Sequence, residues 1–338
     1  MQSNRTIDGL VERLAAFIGD STGRPARVSD LVRYPAGLSW ITYGFTAQIR
    51  GEAPRELILR VGDPSGLLSP YRARPEFLAL TTLAGVPELP IPKEHWYSDD
   101  AAILGAPFIV TERVAGDTPL PWRGAQDRGE ASAALGHDFV DALVAIHGFE
   151  WRGSPLAELA RGVEDGEVVA REIDLWTRHA RVLEGRPIPL LHFAMRWLHT
   201  NRPEVRRVTV VHGDYRTGNF LRHQGRISAI LDWELVHLGD PYEDLAWAGL
   251  RTWTGGTSRL GGLMTHGEFY ERYEEKTGWS VDLRTVRYHE VLQQYKMVAH
   301  AGGGRCAHRG RSGPGPAHGG PGIPAGAGAD RAGPAHRG

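Results

Sequence analysis

The chain has a single cysteine, Cys306, among its 338 residues. No disulfide can form within it, and such sparing use of cysteine suits a reducing compartment. No apolar run approaches the eighteen residues that a membrane-spanning helix needs. The opening Met1-Gln2-Ser3-Asn4-Arg5 leads into an amphipathic segment, not into the apolar core of a signal peptide. A cytoplasmic protein with no membrane partner is the expectation. Charge of one sign is lacking too. Lys and Arg number 39 against 40 Asp and Glu, a formal net charge of -1, so nothing points to nucleic acid, an anionic surface or an acidic partner. There is no internal repeat, and no pattern that fixes an oligomeric state.

What is present is enough for two lobes. At 338 residues, with 41% hydrophobic and 23% charged residues, the composition is that of a globular chain with sizeable cores. Residues 7–18 place Ile7, Leu10, Leu14, Phe17 and Ile18 at helical spacing. Three runs of branched and aromatic residues follow, at 28–34, 40–49 and 56–61, and they predict an antiparallel sheet. In the third, Arg60 shares a face with Ile58, opposite Leu57, Leu59 and Val61. It faces either solvent or a cleft. Residues 74–84 predict a helix with Pro75 at its first position and Glu76 in its first turn, where an acid complements the helix dipole. Two more strands are expected before Ala115-Gly116-Asp117-Thr118-Pro119, a turn-rich stretch that suits a lobe boundary.

Beyond it the pattern becomes helical. Leu135, Phe139, Leu143 and Ile146 form a stripe, and helices are expected near 167–183 and 190–201. The fold class is α+β, with residues 1–115 as a sheet-rich lobe and 116–300 as a mainly helical one. Residues 301–338, dominated by Gly, Ala and Pro with scattered Arg and His, have no apolar periodicity and predict a disordered tail. The break after Met297-Val298 is abrupt, so a reading-frame shift that replaced a final helix explains the composition equally well.

The chemistry gathers in Val211-His212-Gly213-Asp214-Tyr215-Arg216-Thr217-Gly218-Asn219 and Ile230-Leu231-Asp232-Trp233-Glu234. Val208 to Val211 reads as a buried strand that delivers Asp214 to a cleft, with Gly213 allowing a tight path. A carboxylate held there can take the proton of an attacking hydroxyl. Asn219 and Asp232 offer the oxygen ligands that a hard ion such as magnesium prefers, too few for a closed cage, which leaves positions for water and phosphate. Downstream, Asp240, Pro241 and Glu243 read as N-cap, first helical residue and capping-box partner, a structural role. Asp244 is a candidate to hydrogen-bond back to the Asp214 loop, a contact that sequence alone does not fix. The tryptophans at 233, 247 and 253 read as core and cleft wall.

His212-x-Asp214-x4-Asn219, followed thirteen residues later by Asp232, resembles the catalytic loop and metal-binding aspartate of the protein-kinase-like fold. The wording His-Gly-Asp-Tyr-Arg-Thr-Gly-Asn, Leu-Asp-Trp-Glu and Gly-Asp-Pro-Tyr-Glu-Asp-Leu-Ala is similar to the aminoglycoside phosphotransferase and choline kinase group. Its nearest flavour is the kinase-like domain joined to some acyl-CoA dehydrogenases, over roughly residues 25–295. The resemblance implies a two-lobe nucleotide-binding fold using Mg2+ and ATP, with GTP not excluded, and a small-molecule hydroxyl as acceptor. It implies Asp214 as base, Asn219 and Asp232 as metal ligands, and His212 as a brace. It puts Arg60 where the family has the phosphate-contacting lysine and Glu76 where that cation's glutamate partner stands. Backbone groups near Glu112 and Val114 would meet the purine, and the segment 38–42, with Ser39, would cover the phosphates.

The sequence departs from that pattern in three places. Position 60 is arginine, a planar fork in place of a compact ammonium. The phosphate-covering segment has no G-x-G-x-x-G. Asp232-Trp233-Glu234 stands where protein kinases have Asp-Phe-Gly, and no Ala-Pro-Glu follows, which leaves no peptide platform and favours a small acceptor. Arginines in residues 161–207 at least match the acids there, a weak lean toward a neutral or anionic acceptor. The alternative function is a catalytically silent nucleotide-binding module.

Overall fold

The computed structural model describes residues 2–34, 39–63, 72–119, 130–160, 162, 164–180, 188–254 and 258–309. Helix α1 (Gln2–Thr22) buries Leu10, Leu14 and Ile18, as the spacing predicts. It lies on one face of a five-stranded antiparallel sheet built from β1 (Ala26–Arg33), β2 (Trp40–Ile49), β3 (Arg55–Gly62), β4 (Glu94–Ser98) and β5 (Phe108–Glu112), in the order β1-β2-β3-β5-β4. Alternation along β3 sends Leu57, Leu59 and Val61 into the core shared with α1, where Phe17 meets Phe108 edge-on at 4.9 Å. Arg60 lies opposite Thr42 on β2 and Ile109 on β5, on the other face. That face is closed by α2 (Arg74–Leu83), whose Ala79, Leu80 and Leu83 join the second and larger core. A one-residue register slip would exchange the two faces, so the place of Arg60 is tightly specified.

The larger core belongs to the helical part: α4 (Glu130–His147), α5 (Val168–Ala180), α6 (Pro189–Thr200), α7 (Tyr242–Gly249), α8 (His266–Thr277) and α9 (Leu283–Arg309), with the four-residue α3 (Ala101–Leu104) back on the sheet side. Leu135, Phe139, Leu143 and Ile146 of α4 are all buried, the stripe expected of them. Short antiparallel pairs carry the loops of interest: β6 (Thr209–Val211) with β9 (His237–Gly239), and β7 (Phe220–His223) with β8 (Arg226–Ile230). A further small pair joins β10 (Arg259–Leu260) to β11 (Met264–Thr265). The result is the two-lobe α+β kinase-like arrangement. Helix α9 continues as backbone through Arg309; residues 310–338, most of the expected tail, and Leu38 of the expected phosphate-covering segment lie outside the described residues. Among the described residues, no helix is long and apolar enough to cross a membrane.

The capping box expected at α7 is corrected. Asp240 does cap, accepting from the Tyr242 N–H at 3.0 Å. The Glu243 carboxylate, however, turns inward to Lys296 and His237 and is fully buried. A buried ammonium offers a carboxylate more than a backbone N–H at a helix end does.

Candidate functional site

Strand β6 ends at Val211, and the chain then turns sharply. Gly213 has φ 84°, and a Cβ there would lie 2.6 Å from the Leu235 carbonyl oxygen, so only glycine fits. The turn is held from below by Asp244 of α7, whose two carboxylate oxygens accept from the N–H groups of His212 (2.7 Å) and Gly213 (2.9 Å). Burial pushes the Asp244 carboxyl up, but the hydrogen bond and charge of His147 together with the His212 partners outweigh it, and the net shift is down. Buried His212 bonds the Leu231 carbonyl through Nε2 (2.9 Å) and accepts from the Asp214 N–H through Nδ1 (3.2 Å). Those partners define the neutral tautomer, in keeping with a pKa lowered by burial.

The hairpin β7–β8 explains the thirteen-residue spacing. Asn219 stands just before β7 and Asp232 just after β8, and the pairing of Phe220 with Ile230 returns the chain to the same end. The Leu231 N–H donates to the Asn219 carbonyl at 2.8 Å. Asp232 then takes φ 69°, a left-handed conformation that aspartate tolerates better than most residues and that gathers at functional sites.

Asp214 is enclosed by donors. Its Oδ2 accepts from Asn219 Nδ2 (2.6 Å), and its Oδ1 accepts from Trp247 Nε1 (2.6 Å) and Arg216 Nε (2.9 Å). Burial pushes the carboxyl up to about 6, against the pull of the Arg216 guanidinium. Asn219 spends its N–H groups on the Asp214 carboxylate and carbonyl. Its carboxamide oxygen is the atom left for another ligand.

Across the cleft, Arg60 forks between Glu76 Oε1 and Asp232 Oδ1, both at 2.5 Å, with Glu234 Oε2 at 3.9 Å. Its guanidinium also lies 5.4 Å from the centroid of Trp40. Burial and neighbouring carboxylates push Glu234 up to about 8, and burial likewise raises Glu76. Glu76 Oε2 and Glu234 Oε2 are buried with no hydrogen-bond partner. Helix α2, which carries Glu76, is tied to the helical part by the two-point pairing of Arg74 with Glu158 at 2.8 and 2.7 Å.

Asp214, Asn219, Asp232, Arg60 and Glu76 are thus brought to one region. The others stand apart from these contacts. Ser39 is buried, its carbonyl accepting from the Asp63 N–H at 3.2 Å. At the end of β5 the Glu112 N–H is taken by the Lys93 carbonyl at 2.8 Å, so it is not available to a base, and Val114 follows two residues on, half-buried. Two neighbours of Asp214 escaped sequence reasoning. Arg216 carried a visible signal, a cation inside the motif. Trp247, thirty-three residues from Asp214, reads from sequence only as core or cleft wall, because only the packing of α7 against the loop gives its indole N–H that partner.

A profile of the phosphotransferase enzyme family matches residues 43–287. The chain is similar to acyl-CoA dehydrogenase family member 10 of Mus musculus, 30% identical over 249 residues, 71% of this chain and 22% of that protein. It is also similar to family member 11 of Homo sapiens, 28% identical over 197 residues, 56% of this chain and 24% of that protein. The matched part is therefore about a quarter or less of these relatives. Among solved structures, a Ralstonia eutropha protein assigned as an aminoglycoside phosphotransferase superposes with a TM-score of 0.62 at 20% identity, covering 88% of this chain and 98% of that one. An aminoglycoside phosphotransferase in complex with ADP and hygromycin B gives 0.52 at 19%, covering 88% and 99%. These likenesses establish the fold, and the profile establishes the family: the chain belongs to the phosphotransferase enzyme family.

Proposed function

We propose that the protein transfers the γ-phosphoryl group of ATP to a hydroxyl of a small molecule, an aminoglycoside, a sugar or a hydroxyacyl thioester by type. The reading is carried by one observation: the Asp214–Asn219 pair and the Asp232–Arg60–Glu76 chain converge, although they come from four separate stretches of sequence. Asp214 takes the proton of the acceptor hydroxyl as that oxygen bonds to the γ-phosphorus and the bond to the departing ADP oxygen breaks. The products are a phosphate monoester and ADP. The purine meets backbone groups near Glu112 and Val114 other than the Glu112 N–H, which the Lys93 carbonyl holds, and Arg60 and Ser39 serve the phosphates.

The residues suit a magnesium ion. The donors are hard oxygens, Asn219 Oδ1 and the Asp232 carboxylate, and the carboxylates around them outnumber the cations, with two buried oxygens lacking a hydrogen-bond partner. When bound with the nucleotide, the ion offsets the charge of the phosphate oxygens. A second reading, a silent nucleotide-binding module, is favoured by the guanidinium of Arg60, which already holds the Oδ1 of Asp232, a proposed metal ligand, at 2.5 Å.

A panel of alcohols, sugars, aminoglycosides and hydroxyacyl thioesters, assayed for acceptor-dependent ADP release, separates the two. The phosphotransferase reading expects one class to respond, and the silent module expects none. With a responding acceptor, Asp214→Asn lowers turnover by about 10²–10⁴-fold while nucleotide affinity is kept. Undiminished turnover in that variant would remove Asp214 from the role.

A further inference from the structure

Arg216 donates to Asp214 through Nε alone, at 2.9 Å; its Nη1 reaches the Thr217 carbonyl at 3.4 Å, and its Nη2 has no hydrogen-bond partner among the described residues. The outer edge of the guanidinium is spare. The Arg216 side chain is 26% exposed against 14% for Asp214, so a ligand can reach that edge. The group is also held in place. Its guanidinium lies 4.6 Å from the centroid of Trp253, whose ring is 5.4 Å from that of Trp247. Gly218, at φ 109°, leaves it room, since a Cβ there would lie 2.8 Å from Nη1. A fixed planar fork with donors unspent suits the oxygens of a carboxylate or phosphate.

The two oxygens of Asp214 have different surroundings. Oδ2 accepts from Asn219 alone, which the β7–β8 hairpin sets beside Asp232 and its partner Arg60, the side given to metal and phosphates. Oδ1 accepts from Trp247 and Arg216. The stretches that supply this second side, residues 215–218 and 245–267, contain no Asp or Glu. Trp253 adds an indole N–H that is buried without a hydrogen-bond partner. A polycation would find no acid in these stretches, whereas an anion meets a cation with free donors.

Resting on the phosphotransferase reading and narrowing it, we infer that Arg216 is the acceptor-recognition residue: its outer N–H groups bind an oxyanion that the acceptor carries close to the reacting hydroxyl. The acceptor class is then a hydroxycarboxylate or a phosphorylated sugar or polyol, not an aminoglycoside, a neutral alcohol or an acyl thioester whose acid has lost its charge. The hydroxyl takes the open lone pair of Asp214 Oδ2, while Arg216 stays on Oδ1 through Nε and offers Nη1 and Nη2 to the anion. Since Arg216 is bonded to that same carboxylate, hydroxyl and anion are only a few bonds apart on the acceptor. The reaction is unchanged. The hydroxyl oxygen bonds to the γ-phosphorus, its proton passes to Asp214, and the bond to the ADP oxygen breaks.

The test runs the acceptor panel in matched sets with the full chain, ATP and magnesium: glycerol with glycerate and glycerol phosphate, glucose with gluconate and glucose phosphate, and a hydroxybutyryl thioester with hydroxybutyrate, kanamycin serving as the cation. The readout is the ratio of kcat/KM for the charged member to that for its neutral counterpart. Wild type is expected to favour the anionic member by about tenfold or more, the value of a charge-assisted hydrogen bond, and whether carboxylate or phosphate responds names the anion. Arg216→Gln brings the ratio close to one through KM. Its loss from Asp214 slows every acceptor alike, and that common factor cancels in the ratio. Arg216→Lys, a cation without the fork, keeps part of the preference. A wild-type ratio of one or less, or a ratio that Arg216→Gln leaves unchanged, overturns the assignment alone; if ATP affinity falls in that variant instead, Arg216 serves the nucleotide. A wild-type chain that releases no ADP with any member, anionic, neutral or cationic, overturns the phosphotransferase reading beneath it.

Discussion

Two groups of buried carboxylates flank the 212–219 loop, and they are balanced in opposite ways. Behind the loop, Glu172 of α5 and Glu243 of α7 meet Lys296 of α9, with Glu172 at 3.1 Å and Glu243 in direct contact. His237 of β9 completes the group, 3.3 Å from Glu243 and 3.8 Å from Glu172. Two acids face these two bases, with the Arg171 guanidinium at the edge, 3.9 Å from Glu172. Burial pushes both carboxyls up, but Lys296 and His237 outweigh it and hold them below their ordinary values. In the cleft, four acids, Glu76, Asp214, Asp232 and Glu234, stand against Arg60 and Arg216, and three of the four have raised pKa values. Glu172, His237 and Glu243 bring ligand atoms within 4.8 Å of one another, a spacing that suits a metal. The Lys296 ammonium already contacts both carboxylates, so that group is a closed structural lock. The cleft is the region short of positive charge, and a nucleotide's magnesium would bring it.

Neutralising charge should therefore have opposite effects in the two places. Lys296→Met leaves two buried carboxylates with one imidazole and the Arg171 guanidinium 3.9 Å from Glu172, and removal of one partner from a buried pair is expected to destabilise by about 3–5 kcal/mol. Urea unfolding would register this as a lower midpoint at unchanged slope. A loss below about 1 kcal/mol would mean that the lock is not holding charge. Glu234→Gln removes one of four crowded acids and is expected to stabilise the free protein by about 0.5–2 kcal/mol. Destabilisation of similar size would abolish the contrast.

Much of this architecture was legible. The alternation in β3 set Arg60 opposite the apolar face because a strand's period is two, but it left open whether that side met solvent or a cleft, which the arrival of Glu76 and Asp232 decided. The motif and its resemblance implied Asp214, Asn219 and Asp232 together, and the β7–β8 hairpin is what returns the chain to bring them there. The lock was not legible. Glu243 sat in a perfect capping-box pattern, and only the arrival of Lys296, fifty-three residues later, redirected it. Local rules describe the offers made to a side chain by its sequence neighbours, and a buried cation from a distant helix outbids them. Trp247 is the same lesson inside the cleft. A tryptophan on an amphipathic helix reads as core, and its N–H acquires a role only when the helix meets the loop.

The mildest test concerns His237, which contacts acids from two elements and reports whether its imidazole adds a positive charge to that of Lys296. Its Nδ1–H donates to the Leu235 carbonyl at 2.8 Å, and its Nε2 faces Glu243 and Glu172, so both nitrogens point at acceptors and the ring is held as imidazolium. Burial alone would lower its pKa, but the two carboxylates outweigh both that and the nearby Lys296, raising it above the ordinary 6.5. The folded state thus holds a proton that the unfolded chain releases. Its contribution is fully present below pH 6.5 and is lost as the pH rises through the raised value. In that window wild-type unfolding free energy falls with a slope of at most about 1.4 kcal/mol per pH unit from this group. His237→Gln should remove that component, so the difference between wild type and variant narrows from pH 6.5 upward. A difference that stays constant across the window would show a neutral His237, leaving Lys296, with Arg171 at the edge, to balance the two carboxylates.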